Sequence, residues 1–258
     1  MIKKIIIDHT EIACWVNPED FGRHQQSLIF VHSSGSNLRS WVYQYSQLHK
    51  QFNIVAFDLP GHGQSSGSGE KEVDNYCVWI KQLLDVLQLK NPVLVGQSLG
   101  GAIALKFALH YPQAVRGIAP VGAGEKMPVN PSILEGLKTN RDEALNLICK
   151  FSLTKENRPR LFDALKTGLS ESSVASFYGD LTACNNLDLT TVAGKIQIPV
   201  LLICGAEDKM TPPDFSRRLA AAIKGAKLCL IEGAGHVAMM EKPAEFNKAL
   251  SEFAASFS

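Results

Sequence analysis

Ser98 stands in Gly96-Gln97-Ser98-Leu99-Gly100-Gly101, after the apolar run Val93-Leu94-Val95 and before Ala102-Ile103-Ala104-Leu105-Lys106-Phe107-Ala108. A G-x-S-x-G pattern between a strand-like and a helix-like segment describes a sharp turn that lifts a serine clear of a sheet, where it can act as a nucleophile. The flanking positions of such a turn are too crowded for side chains, which explains the glycines. A serine hydroxyl is a poor nucleophile until a base takes its proton, and a histidine base needs a carboxylate to hold its tautomer. On a turn of this kind the acid and then the histidine follow the serine in chain order.

Only two of the seven histidines, His110 and His236, follow Ser98. His110 closes the helix that leads away from the turn, roughly 15–18 Å off at 1.5 Å per residue, out of reach. His236 lies in Glu232-Gly233-Ala234-Gly235-His236, a loop after the last apolar run, and is left as the base. Six aspartates lie between: Asp142, Asp163, Asp180 and Asp188 in a helical stretch or its exit, then Asp208 and Asp214. Asp214 opens a helix behind Pro212-Pro213, where an acid complements the helix dipole. Asp208 follows Leu201-Leu202-Ile203-Cys204-Gly205-Ala206-Glu207, at the carboxyl end of a buried strand where parallel sheets collect ligands. Asp208 is preferred as the orienting acid, with the adjacent Glu207 left open. The chemistry these residues could perform is acyl transfer through a covalent serine intermediate. It needs no metal or organic cofactor, and no ligand cluster for one is visible in the sequence.

The elements that must position these residues are legible as alternation. Residues 5–8 and 12–16 predict an opening hairpin; residues 28–31, 54–57, 93–95, 118–121, 200–204 and 228–231 predict strands. Their apolar runs lack polar alternation, as in a parallel sheet buried on both faces. Helical patterns fall at residues 38–50, 73–89, 99–110, 213–223 and 243–257, which predicts an α/β fold, a sheet flanked by helices. Residues 122–198 break the rhythm: no strand is clear, and helix-like spacing recurs at 134–137, 144–151, 161–165 and 174–181. A helical cap or lid, residues 123–197, is expected over one edge of a core formed by residues 1–122 and 198–258. The substrate pocket is expected between Ser98 and this insertion, lined by Trp41, Leu99, Phe151, Phe177, Tyr178, Met210 and Val237. His32 and His62 are expected to be structural, bonding loop backbones.

Composition excludes other classes. The 258 residues carry 26 Lys+Arg against 25 Asp+Glu, a formal net charge of +1, without the basic footprint of a nucleic-acid binder. No apolar run approaches the roughly 18 residues of a membrane span. Met1-Ile2-Lys3-Lys4 begins as a secretory signal does, but Asp8 stops the apolar run Ile5-Ile6-Ile7, and a first strand is expected instead. Cys14, Cys77, Cys149, Cys184, Cys204 and Cys229 are scattered without a CxxC pair, which points to buried thiols and a reducing, cytoplasmic setting. The expected partner is a small molecule; monomer or homo-oligomer is left open.

Four motifs in order resemble the α/β-hydrolase superfamily, most closely its small cofactor-free esterase-like members. Phe57-Asp58-Leu59-Pro60-Gly61-His62-Gly63-Gln64-Ser65 matches the family loop D-x-P-G-x-G-x-S, and residues 95–101 match the nucleophile elbow. Gly205-Ala206-Glu207-Asp208 matches the acid loop, and Gly233-Ala234-Gly235-His236 through Glu241-Lys242-Pro243 the histidine loop. The resemblance implies a mostly parallel eight-stranded sheet with the cap between strands 6 and 7, a Ser98–Asp208–His236 triad, and an oxyanion hole from the Ser34 and Leu99 amides. One motif departs: the family's His-Gly is His32-Ser33 here. Ser98 speaks against the aspartate-nucleophile dehalogenases and epoxide hydrolases, Gly35 against perhydrolases, Ala102 against the menaquinone-pathway lyases and Gln97 against the C–C hydrolases. The expectation is hydrolysis of esters of small apolar substrates. Enol-lactonase, thioesterase and C–C hydrolase chemistry, or a slow-turnover ligand receptor of this fold, are the alternatives.

Overall fold

In the computed structural model, which describes residues 2–18 and 21–257, eight strands form one sheet in the order β1-β2-β4-β3-β5-β6-β7-β8. The expected core bounds also take in Met1, Glu19, Asp20 and Ser258, which lie outside the described residues. The strands are β1 (Ile2–Ile7), β2 (Thr10–Val16), β3 (Ser27–Val31), β4 (Asn53–Phe57), β5 (Val93–Gln97), β6 (Gly117–Val121), β7 (Leu201–Gly205) and β8 (Lys227–Ile231). β1 and β2 pair antiparallel, as do β2 and β4; all pairings from β4 to β8 are parallel. Asp8 and His9, both at positive φ, make the two-residue turn that joins the hairpin with the right twist.

β3 through β7 are buried from end to end, and their side chains part to the two faces with period two. Ile29, Val31, Val55, Phe57 and Leu94 meet α2 (Val73–Val86) and α3 (Leu99–His110) on one face. Leu28, Phe30, Ile54, Ala56 and Val95 meet α1 (Val42–Leu48) and α10 (Pro243–Ala255) on the other. Each such fully buried aliphatic or aromatic side chain contributes about 1.5–3 kcal/mol over its exposed state. The helix expected at 38–50 is split: Leu38–Trp41 is a 3-10 turn capped by Asn37, and only α1 continues as α-helix. α8 is Pro213–Ala222 and α9 the short Ala238–Glu241.

Four helices lie between β6 and β7: α4 (Pro131–Thr139), α5 (Arg141–Ser152), α6 (Arg158–Ser170) and α7 (Val174–Asn186). Asn130, Asn140 and Ser173 start α4, α5 and α7 with side-chain caps. Their apolar stripes, Ile133 and Leu137, Leu145 and Ile148, Leu161 and Leu165, recur at helical spacing and close on one another. Among the described residues, no helix is long and apolar enough to cross a membrane.

Candidate active site

Gln97 ends β5 and Leu99 begins α3, so Ser98 alone makes the turn, at φ 54 and ψ −110. That conformation is costly for a non-glycine residue and is held by its surroundings. The Ser98 N–H donates to the Val121 carbonyl at 2.8 Å, tying the elbow to the end of β6. A side chain at Gly96 would run into the Gly100 carbonyl. Leu99 buries its side chain completely, while its amide lies in the first turn of α3, where N–H groups lack intrahelical acceptors.

His236 and Asp208 are brought together from the loops after β8 and β7. His236 Nδ1 lies 2.9 Å from Asp208 Oδ2, and both residues are buried. The Thr211 hydroxyl donates to Asp208 Oδ2 at 2.8 Å, and the N–H groups of Met210 and Thr211 donate to Oδ1 at 2.8 and 2.9 Å. Burial pushes the Asp208 carboxyl up, but His236 and these donors outweigh it and hold it below its ordinary value. With Nδ1–H given to Asp208, the lone pair of His236 is on Nε2. Glu207, the alternative left open in the sequence, is exposed and makes no such contact; Asp208 is the acid that meets the histidine. Asp214 pairs with Arg217 at the start of α8, and His110 bonds Asp74 at the surface.

Ser98 and His236 line one cavity of about 360 Å³ between the sheet and α4–α7. Phe151, Phe177, Met210 and Val237 line it, together with Ser33 and Ser34. Three expected lining residues do not: Leu99 begins α3 and turns its side chain into the core on the α2 face, and Trp41 and Tyr178 are also directed elsewhere. Trp41 is fully buried against Phe30 and Phe246, with ring centroids 4.9 and 6.0 Å away, because it closes the 3-10 turn into the gap between β3 and α10. Tyr178 follows Phe177 on α7 and so points about 100° away, outward, with Lys138 Nζ 3.8 Å over its ring. Among the described residues that line it, Lys209 is the one Lys, Arg, Asp or Glu; the rest of the wall is mostly apolar.

Several residues around the site hold it in ways the sequence did not signal. Thr211 was signalled only by its place three residues after Asp208. Gln97, fully buried, donates Nε2–H to the His236 carbonyl at 3.1 Å. Glu241, 3% exposed, accepts from Thr154 N–H at 2.8 Å and Gly235 N–H at 2.6 Å, fastening the α5–α6 junction to the histidine loop. His32 does bond loop backbone on both nitrogens: Nδ1–H donates to the Ser33 carbonyl at 2.8 Å and Nε2 accepts from Leu59 N–H at 3.0 Å. His62 bonds the Pro60 carbonyl at 3.0 Å and, beyond expectation, Asp180 Oδ2 of α7 at 2.8 Å.

A family model described as the alpha/beta hydrolase fold matches residues 26–243. The chain is 29% identical over 255 residues to the AB hydrolase superfamily protein YisY of Bacillus subtilis, covering 92% of this chain and 94% of that one. It is 27% identical over 244 residues to 3-oxoadipate enol-lactonase 2 of Acinetobacter baylyi, with 91% of each covered. A solved thermophilic esterase superposes with a TM-score of 0.86 at 31% identity, covering 99% of this chain and 98% of that one.

Proposed function

The chain belongs to the α/β-hydrolase family, and we propose that within it this protein is a serine hydrolase of carboxylic esters with small apolar acyl groups. The observation that carries the proposal is the Asp208–His236 pair at 2.9 Å, with His236 and Ser98 facing one mostly apolar cavity. His236 Nε2 takes the Ser98 hydroxyl proton as the oxygen attacks the ester carbonyl, and Asp208 steadies the imidazolium that forms. The carbonyl oxygen becomes an oxyanion facing the amides of Ser34 and Leu99; a preorganised donor of this kind is worth about 2.7–4 kcal/mol. His236 returns the proton to the leaving alkoxide, the C–O bond breaks, and the acyl group stays on Ser98. Water, deprotonated by His236, releases the acid and regenerates the serine. The α4–α7 cap acts as the lid that closes the acyl site from solvent. Ring opening of an enol-lactone uses the same steps, and the likeness to the Acinetobacter baylyi enol-lactonase makes it the second reading. Six free cysteines, five of them buried, suit a reducing cytoplasm.

The test is turnover of p-nitrophenyl esters from acetate to dodecanoate, and of an enol-lactone, by wild type and Ser98→Ala side by side. Turnover highest on short chains and abolished in Ser98→Ala is expected. Undiminished turnover by a folded Ser98→Ala removes the nucleophile assignment; preference for the lactone moves the second reading to the front.

A further inference from the structure

One face of α7 is laid along the Ser34–Gly35 loop. The Phe177 ring stands where a Gly35 Cβ would be, Asp180 Oδ2 accepts the Gly35 N–H at 2.8 Å, and Cys184 Sγ is 3.7 Å from Ser34 Oγ. Residues 177, 180 and 184 share a helix face by their spacing of three and four. Ser34 and Gly35 are the central residues of a turn closed by Ser36 N–H to the Ser33 carbonyl at 3.1 Å, with Gly35 at φ +63. A left-handed glycine at the third position is the type II arrangement, which differs from type I by rotation of the middle peptide. The Gly35 N–H belongs to that peptide, so Asp180 holds it against rotation. The preceding peptide is held too: its Ser33 carbonyl accepts from both His32 Nδ1–H and Ser36 N–H, which aims the trans Ser34 N–H the opposite way.

Asp180 is itself fully buried and saturated. Oδ2 also meets His62 Nε2 at 2.8 Å, and Tyr76 Oη–H donates to Oδ1 at 2.6 Å. A carboxylate so fixed has no freedom to release the Gly35 amide, and nothing in the triad uses it.

The geometry points to Asp180 as a positioning residue that sets the Ser34 amide of the oxyanion hole from the cap, with His62 and Tyr76 fixing its carboxylate. This rests on Ser34 serving as an oxyanion donor in the serine-hydrolase reading. Asp180 touches no substrate; it acts through the Gly35 peptide. Loss of its acceptor therefore weakens the grip on the tetrahedral oxyanion and leaves ground-state binding alone.

The experiment compares wild type, Asp180→Ala and Asp180→Asn in kcat and KM on p-nitrophenyl butyrate. Inhibition by a trifluoromethyl ketone is measured beside them; Ser98 oxygen adds to its carbonyl, His236 takes the proton, and the ketone oxygen becomes the anion. Misplacement of a catalytic group by about 1 Å costs about 100-fold. Asp180→Ala is expected to lose kcat by about that factor with KM little changed and Ki for the ketone raised in parallel. Asp180→Asn keeps an oxygen for Gly35 N–H but as a weaker, neutral acceptor, so both are expected to recover in large part and to stay a few-fold short of wild type. A folded Asp180→Ala with wild-type kcat and Ki overturns the proposal. Should Asp180→Ala not fold, Asp180→Asn decides: a rise in the ketone Ki without a matching rise in Kd for butyrate supports it, and no rise, or equal rises, overturns it. A wild type that neither turns over the ester nor is labelled at Ser98 by a fluorophosphonate overturns the serine-hydrolase reading and this proposal together; a labelled, active wild type confines any failure to Asp180.

Discussion

His32 and His62 lie with ring centroids 5.1 Å apart, both buried, in opposite charge states. His32 accepts a backbone N–H on Nε2 and so is neutral; burial, and then the charge of His62, push its pKa down to about 3. His62 faces acceptors on both nitrogens and so carries the proton; burial opposes this, but the Asp180 carboxylate overcomes it and raises the pKa above 6.5.

The pair predicts a stability maximum near the ordinary imidazole value of 6.5. Above it, native His62 keeps a proton that the unfolded chain gives up, so its contribution is complete below 6.5 and fades as pH rises through the raised folded value. Below it, unfolded His32 takes a proton that the native ring refuses, so stability falls again toward pH 4. Each limb has a slope of up to about 1.4 kcal/mol per pH unit. Thermal unfolding from pH 4 to 9 should show His62→Gln flattening the alkaline limb and His32→Gln the acid one; curves parallel to wild type contradict the assignment.

Ser98→Gly should be inactive yet more stable than wild type. Relief of a left-handed φ is worth about 1–3 kcal/mol, partly offset by the entropy glycine adds to the unfolded chain. A rise in Tm checks this; a fall means that the serine side chain contributes more than its backbone costs.

Asp208→Asn should cut kcat by about 10³–10⁴-fold, because an amide steers His236 Nδ1 to the wrong tautomer. Thr211→Val, which removes one donor to the Asp208 carboxylate, should lose about 100-fold or less, since one hydrogen bond to a charged group is worth about 1.5–3 kcal/mol. Steady-state kinetics on a short-chain ester rank the two, and equal losses would contradict the separation of roles.

Glu241→Gln should destabilise the fold by about 1–3 kcal/mol. The wild-type carboxylate accepts two backbone N–H groups, whereas an amide has one oxygen and leaves the other N–H buried and unpaired. Urea unfolding measures the difference, and an unchanged midpoint would mean that water replaces the lost acceptor.

Phe151→Ala should shift the ester preference toward longer acyl chains. Phe151 lines the cavity while 43% exposed, so it stands at the mouth, and its removal extends the apolar trough outward. The chain-length series on the variant checks this; an unchanged optimum places the limiting wall deeper, at Leu165 or Leu169.

The parts of this molecule written in local sequence were legible there. The buried strands, the elbow at Ser98, and the Asp208 and His236 loops each depend on a few adjacent residues whose types have steric or chemical reasons. The bonds that hold the site were not legible, because they join distant segments: His62 to Asp180, Gly35 to Asp180, and Thr154 to Glu241. Asp180 read as an ordinary helical acid, since no local pattern marks a carboxylate whose partners lie more than a hundred positions away. Leu99, Trp41 and Tyr178 failed as lining residues for a related reason: an apolar or aromatic type announces burial but not the direction in which the backbone will point it.

Ser152 O accepts the His236 N–H at 2.8 Å, Glu241 grips Thr154, and Asp180 grips Gly35, so the cap is bolted to the core on both flanks of the nucleophile. Swinging it open would break buried hydrogen bonds, two of them to carboxylates, and displace the Ser34–Gly35 and His236 loops. Traffic is therefore left to the loosest apolar side chains on α5, Leu147 and Phe151, one turn apart and 36% and 43% exposed. Exposed rotamers turn over in picoseconds to nanoseconds, against microseconds to milliseconds for a domain that opens and shuts. In the proposed hydrolase, rotamers on that faster clock open and close the mouth of the cavity without the cap having to move.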